Sequence, residues 1–161
     1  MSYNSKKTIV SMIAGIILIV AYMIYALGQH APAPDDLKSW AIAMLVFIGI
    51  SVAAIIVIQI LFHIAVTVGV AVKERAQDDK IVERIVASTV AEDERDKLIS
   101  LKSSRVTCIF AGIGFVFALM GLAFGISDIF ALHILFGSFS VGSIVEGFVC
   151  IYFYEKGVRN E

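Results

Sequence analysis

Proline and cysteine are nearly missing from this chain, two of each among 161 residues. The two thiols, Cys108 and Cys150, stand apart in sequence and make neither a zinc nor an iron–sulfur ligand set. Charged residues amount to only 17%, and they nearly cancel to a net −1, so no large single-sign field exists to attract nucleic acid. The three histidines, His30, His63 and His133, fall at different distances from the ends of the apolar runs, which removes the equal-depth pair a bis-histidine haem needs. No H-E-x-x-H, Walker loop, or G-x-G-x-x-G between a strand and a helix occurs. No metal, cofactor or catalytic set is therefore expected, and the chain reads as a non-enzyme.

What is abundant is apolar sequence. Hydrophobic residues make up 59% and the mean hydropathy is +0.90, far above a water-soluble domain. Four runs are long enough to cross a bilayer, which takes roughly 20 helical residues: about 8–27, 40–66 or longer, 106–126 and 129–152. In hydrocarbon each backbone N–H and C=O must find its partner within the segment, and these runs lack the alternation of barrel strands, so all four are expected to be helices. Residues 1–161 then form a single polytopic, all-α membrane domain.

Basic residues set the orientation. Lys6 and Lys7 precede the first span, eight Lys and Arg lie between the second and third, and Lys156 and Arg159 follow the fourth; Lys38 alone lies elsewhere. By the positive-inside rule both termini and the central segment are cytoplasmic, in a cell (inner) membrane. Ala31–Ala33 resembles a signal-peptide cleavage site, but the apolar run before it, about 20 residues, exceeds the 7–15 of a signal core, so the span is expected to stay. The short outer connections predict two antiparallel hairpins, one with two and three with four. Aligned without gaps, residues 8–28 and 105–125 match at seven of 21 positions, Gly15/Gly112 and Gly28/Gly125 among them, which fits either a duplication or convergent membrane composition.

The central segment, about 73–105, carries eight basic and eight acidic residues and neither Pro nor Gly. Apolar positions at helical spacing predict that the second helix continues into it. Thr89 to Glu92 has the pattern of a capping box, predicting a break and then a helix that leads into the third span.

One carboxylate lies inside an apolar run. Ser138, Gly142, Glu146 and Cys150 are four apart, with Ser143 and Gly147 beside them, so a stripe of small residues carries an acid on one helix face. Gln59, His63 and Thr67 repeat that spacing on the second helix. Counted from the cytoplasmic charges, His63 and Glu146 share a depth to within about a turn. Ser11, Gly15, Cys108 and Gly112 fall in the same layer, so a polar pocket among the four helices is expected. The candidate intramembrane site is Glu146, His63, Gln59, Thr67, Ser143 and Cys150, either a proton- or cation-linked site or a structural hydrogen bond.

The stretch "EDERDKLISLKSSR" resembles the signature of a family of small prokaryotic four-helix membrane proteins of unknown function, in which a D-E-R-[DE]-x-x-I-x-x-K-like motif leads into the third span. The matching residues are Asp93, Glu94, Arg95, Asp96, Ile99 and Lys102. The resemblance implies the four-helix fold and no activity. Asp93, Glu94, Arg95, Asp96 and Lys102 form a candidate cytoplasmic interaction motif, because Arg95 finds no acid one turn ahead and keeps donors for another chain, the C-terminal tail or lipid phosphate. The role expected is a small sensor, regulatory or accessory subunit, a homo-oligomer in the lipid bilayer with a possible membrane or cytoplasmic protein partner. The alternative is a small oligomeric transporter or channel using Glu146 and His63.

Overall fold

The computed structural model describes residues 3–74 and 94–156. They form four helices: α1 (Tyr3–Leu27), α2 (Leu37–Glu74), α3 (Glu94–Ala123) and α4 (Asp128–Lys156). All four are long and apolar enough to cross a membrane, and no strand occurs among the described residues. The chain is a multi-pass membrane protein. Within the apolar runs the helices expose large hydrophobic side chains: Ile17 is 61% exposed and Phe117 58%, the surface expected of helices solvated by lipid tails. The 38 residues of α2 extend about 57 Å, well beyond the roughly 30 Å of a hydrocarbon core. The capping box at 89–92 lies outside the described residues.

The helix ends follow from a few residues. Asp36 caps α2, its Oδ1 accepting the Ser39 amide at 3.0 Å. Hydrogen bonds from Ser39 hold the Asp36 carboxyl below the ordinary carboxylate range. α3 stops at Ala123, three residues before the hydropathy of Phe124 and Ile126 suggests. Gly125 takes φ +83, a left-handed conformation open to glycine, and the Ile126 and Gly125 amides bond back to the Gly121 and Leu122 carbonyls at 2.9 and 3.0 Å. Ile126 then folds over Gly121. Ser127 caps the next helix, its Oγ accepting the Phe130 amide at 3.3 Å. The sequence "GISD" is thus a stop and a start in four residues.

The seam between α3 and α4 is the closest in the fold. A Cβ at Gly114 would overlap the Ser138 side chain, and one at Gly142 would stand 2.9 Å from Phe110 Cβ and 3.2 Å from Thr107 Cα. Backbones approach this closely only where a side chain is missing, and dispersion across such contacts is what joins helices in lipid. Rising numbers on α3 meet falling ones on α4, so the pair is antiparallel. α1 packs on the other side of α4, with Met12 against Gly147, and α2 packs mainly on α1. Gly114, at the seam, aligns with the exposed Ile17 of α1, so the sequence match between the two halves does not carry over to packing.

Tyr22 and Trp40 are 6% exposed and form a core near the short connections. The Tyr22 ring sits 4.4 Å from Phe136 and 5.2 Å from Phe47, and Trp40 lies 4.7 Å from His133, centroid to centroid. Trp40 Nε1 donates to the Ala33 carbonyl at 3.1 Å, which satisfies its one polar atom and ties down the connection. His133 Nδ1 lies 2.8 Å from the Ile129 carbonyl; a carbonyl only accepts, so Nδ1 carries hydrogen. At the opposite end the Lys156 ammonium lies 5.1 Å from the Tyr152 centroid.

Candidate functional site

Spacing by four on α4 sends its small stripe along two neighbours. Ser138 and Gly142 face α3, whereas Gly147 and Cys150 face α1. Glu146 stands between them, half-buried, and its Oε2 accepts a hydrogen bond from the Thr107 hydroxyl of α3. One turn further on, Cys150 Sγ lies 3.8 Å from Thr8 Oγ1 of α1.

Because α2 leans on α1 and touches α4 only lightly, a cavity of about 1000 Å³ opens among α1, α2 and α4, with the start of α3 lining one end. Met44, Phe47 and Phe136 line its apolar part. Ser11 of α1, Ser51 of α2 and Ser140, Ser143 and Glu146 of α4 are polar members of the lining, and Lys7, Asp96 and Tyr154 line the end where the basic residues gather. This volume is at the upper end for small-molecule sites.

Glu146, Ser143 and Cys150 all line the cavity from α4. The structure does not bring the α2 stripe to them. α2 contributes to the lining as far as Ile55, while Gln59 and His63 are exposed and outside it. Thr67 is half-buried and donates its hydroxyl to the His63 carbonyl at 3.0 Å. Equal depth placed these residues in one layer, but the faces of the two helices do not meet. The expected α3 stripe is also displaced: Cys108 is exposed and a Cβ at Gly112 would meet nothing within 4 Å. The stripe that packs runs through Ser103, Thr107, Gly114, Ala118 and Gly121, and Thr107 is the partner that sequence reasoning missed. Its signal was present, small residues recurring at three, four and seven from Ser103 onward. Ser51 and Ser140 were missed too, because single serines in apolar runs resemble ordinary packing.

The motif before the third span is fastened within the chain. Arg95 Nη2 donates to the Tyr154 carbonyl at 3.3 Å, in the last turn of α4 where carbonyls lack helical partners. Ile99 is 0% exposed and Ser103 1%, the most buried positions of α3. Asp96 reaches the cavity, Glu94 stands in the favourable first turn of α3, and Lys102 is half-buried; Asp93 lies outside the described residues. Among the described residues no three His, Cys, Asp or Glu side chains gather as a metal site.

No protein family, curated protein or solved structure matches this chain.

Proposed function

We propose that this protein is a non-enzymatic membrane subunit, sensory or regulatory, in which occupation of the cavity is read out by the helices at the basic end. That end is cytoplasmic by the positive-inside rule, in a cell (inner) membrane. The observation that carries this reading is that cavity and motif share residues. Asp96 and Tyr154 line the cavity, and Arg95, beside Asp96, holds the Tyr154 carbonyl. A molecule in the cavity therefore bears on the contact that joins the start of α3 to the end of α4. The same surface serves association with a second copy or a protein partner.

Gly15 provides the test, because it lines the cavity and a Cβ there meets nothing within 4 Å. Gly15→Phe sends a ring into the cavity from a Cβ position that is open among the described residues. Hydrogen exchange in bilayer nanodiscs is expected to change at residues 94–100 and 150–156 in Gly15→Phe and in Arg95→Ala, while Arg95→Ala also loses cross-linked oligomer and still inserts. Unchanged exchange in Gly15→Phe removes the link between cavity and motif; intact association in Arg95→Ala removes the interaction role.

A second reading is supported by the carboxylate in the cavity wall. A small oligomeric transporter would use Glu146 on its pathway. Proteoliposome flux that Glu146→Gln abolishes supports transport, and flux that it leaves intact takes Glu146 off the pathway.

A further inference from the structure

Several polar side chains of the cavity lining are committed as hydrogen-bond acceptors. A serine hydroxyl has one hydrogen to donate and two lone pairs to accept with. Three cavity serines give that hydrogen to their own helix: Ser51 to the Phe47 carbonyl, Ser103 to Ile99 and Ser140 to Phe136, each at 2.8 Å. Such back-bonding is common for serine in helices, and it leaves the oxygen as an acceptor only. Glu146 adds carboxylate oxygens, one already bonded by Thr107. Ser51, Ser140 and Glu146 thus offer lone pairs to whatever enters, whereas Ser103 is 1% exposed.

Charge points the same way. Three charged residues line the cavity, Lys7, Asp96 and Glu146. Lys7 and Asp96 have opposite signs and stand at the basic end, so the remaining charge is that of Glu146. Beyond it the lining is mostly aliphatic and aromatic, with Phe47, Phe136 and Phe139, broken by Ser51 and Ser140. Ring faces attract cations as well as apolar bodies.

We propose, resting on the reading of the cavity as a ligand site, that it takes an amphipathic amine: a protonated N–H head received by Glu146, and an apolar body lying toward Phe47 and Phe136, with the Ser51 and Ser140 oxygens along its path. An anionic amphiphile of the same shape meets lone pairs and a carboxylate. A neutral alcohol keeps one donor and loses the charge.

The test uses the full chain in nanodiscs of zwitterionic lipid, with empty nanodiscs subtracted, and three fluorescent probes that share one apolar body: pyrenylmethylammonium, pyrenylmethanol and pyrenecarboxylate. The ammonium probe is expected to bind saturably and about tenfold or more tighter than the alcohol, because charge-assisted hydrogen bonds are roughly twice as strong as neutral ones, with the carboxylate weakest. Glu146→Gln keeps an acceptor for Thr107 and is expected to bring the ammonium down to the level of the alcohol. Gly15→Phe is expected to remove saturable binding of all three. Equal binding of the three probes, or an ammonium preference that survives Glu146→Gln, overturns the assignment of an amine. If binding is then still lost in Gly15→Phe, the cavity remains a ligand site for other chemistry. No saturable binding, or binding indifferent to Gly15→Phe, overturns both readings.

Discussion

The hydroxyl of Thr107 on α3 is bonded to Oε2 of Glu146 on α4, across the closest helix seam in the protein. A carboxylate inside an apolar helix is costly unless polar atoms meet it, and here the neighbouring helix brings one. Thr107→Val keeps the shape and removes the donor. It is expected to lower stability by about 1 kcal/mol, or about 2–4 °C in the thermal midpoint measured in detergent, while Thr107→Ser stays near the wild type.

Two glycines two residues apart on α3 should behave oppositely. Gly114→Ala forces a methyl into Ser138 and is expected to destabilise the α3–α4 pair by about 1–3 kcal/mol. Gly112→Ala meets nothing within 4 Å and is expected to be neutral or slightly stabilising. Thermal midpoints of the two variants, measured side by side, check both.

The Tyr22 hydroxyl is buried with no hydrogen-bond partner among the described residues, so the ring supplies the packing and the oxygen a cost. Tyr22→Phe is expected to match or exceed wild-type stability. Tyr22→Ala, which empties the space between Phe47 and Phe136, is expected to lose about 3 kcal/mol or more, read as a fall in the thermal midpoint.

The cap of α2 should depend on pH. Bonds from Ser39 lower the Asp36 pKa in the folded chain, so the contribution is present above the usual carboxylate range and fades as pH falls through the lowered value, below about 4. Amide exchange at residues 37–40 is expected to accelerate on acidification in the wild type. Asp36→Asn, which keeps an accepting oxygen, should show no such step, and Asp36→Ala should exchange fast at every pH.

Local chemistry was legible in the sequence and non-local geometry was not. The four spans follow from length and apolar content, and the Glu146 stripe from spacing within one helix. "GISD" also contained the end of α3, as glycine past a helix and a serine–aspartate start, but the hydropathy of Phe124 and Ile126 hid it. His63 and Gln59 show the limit of counting residues along an axis. Depth says how far in a side chain lies; it does not say which way the face turns or whether the helix leans. Arg95 was legible in part: the segment after the fourth span was among its expected partners, but the group it meets, the Tyr154 carbonyl 59 residues away, is one that every residue carries.

The most direct measurement is the infrared difference spectrum of the protein in bilayers on addition of pyrenylmethylammonium, with Glu146→Gln as the reference. A ligand head received at this carboxyl group predicts a change in its band that is present in the wild type and missing from Glu146→Gln. Identical difference spectra from the two proteins would contradict the placement of the ligand head at Glu146.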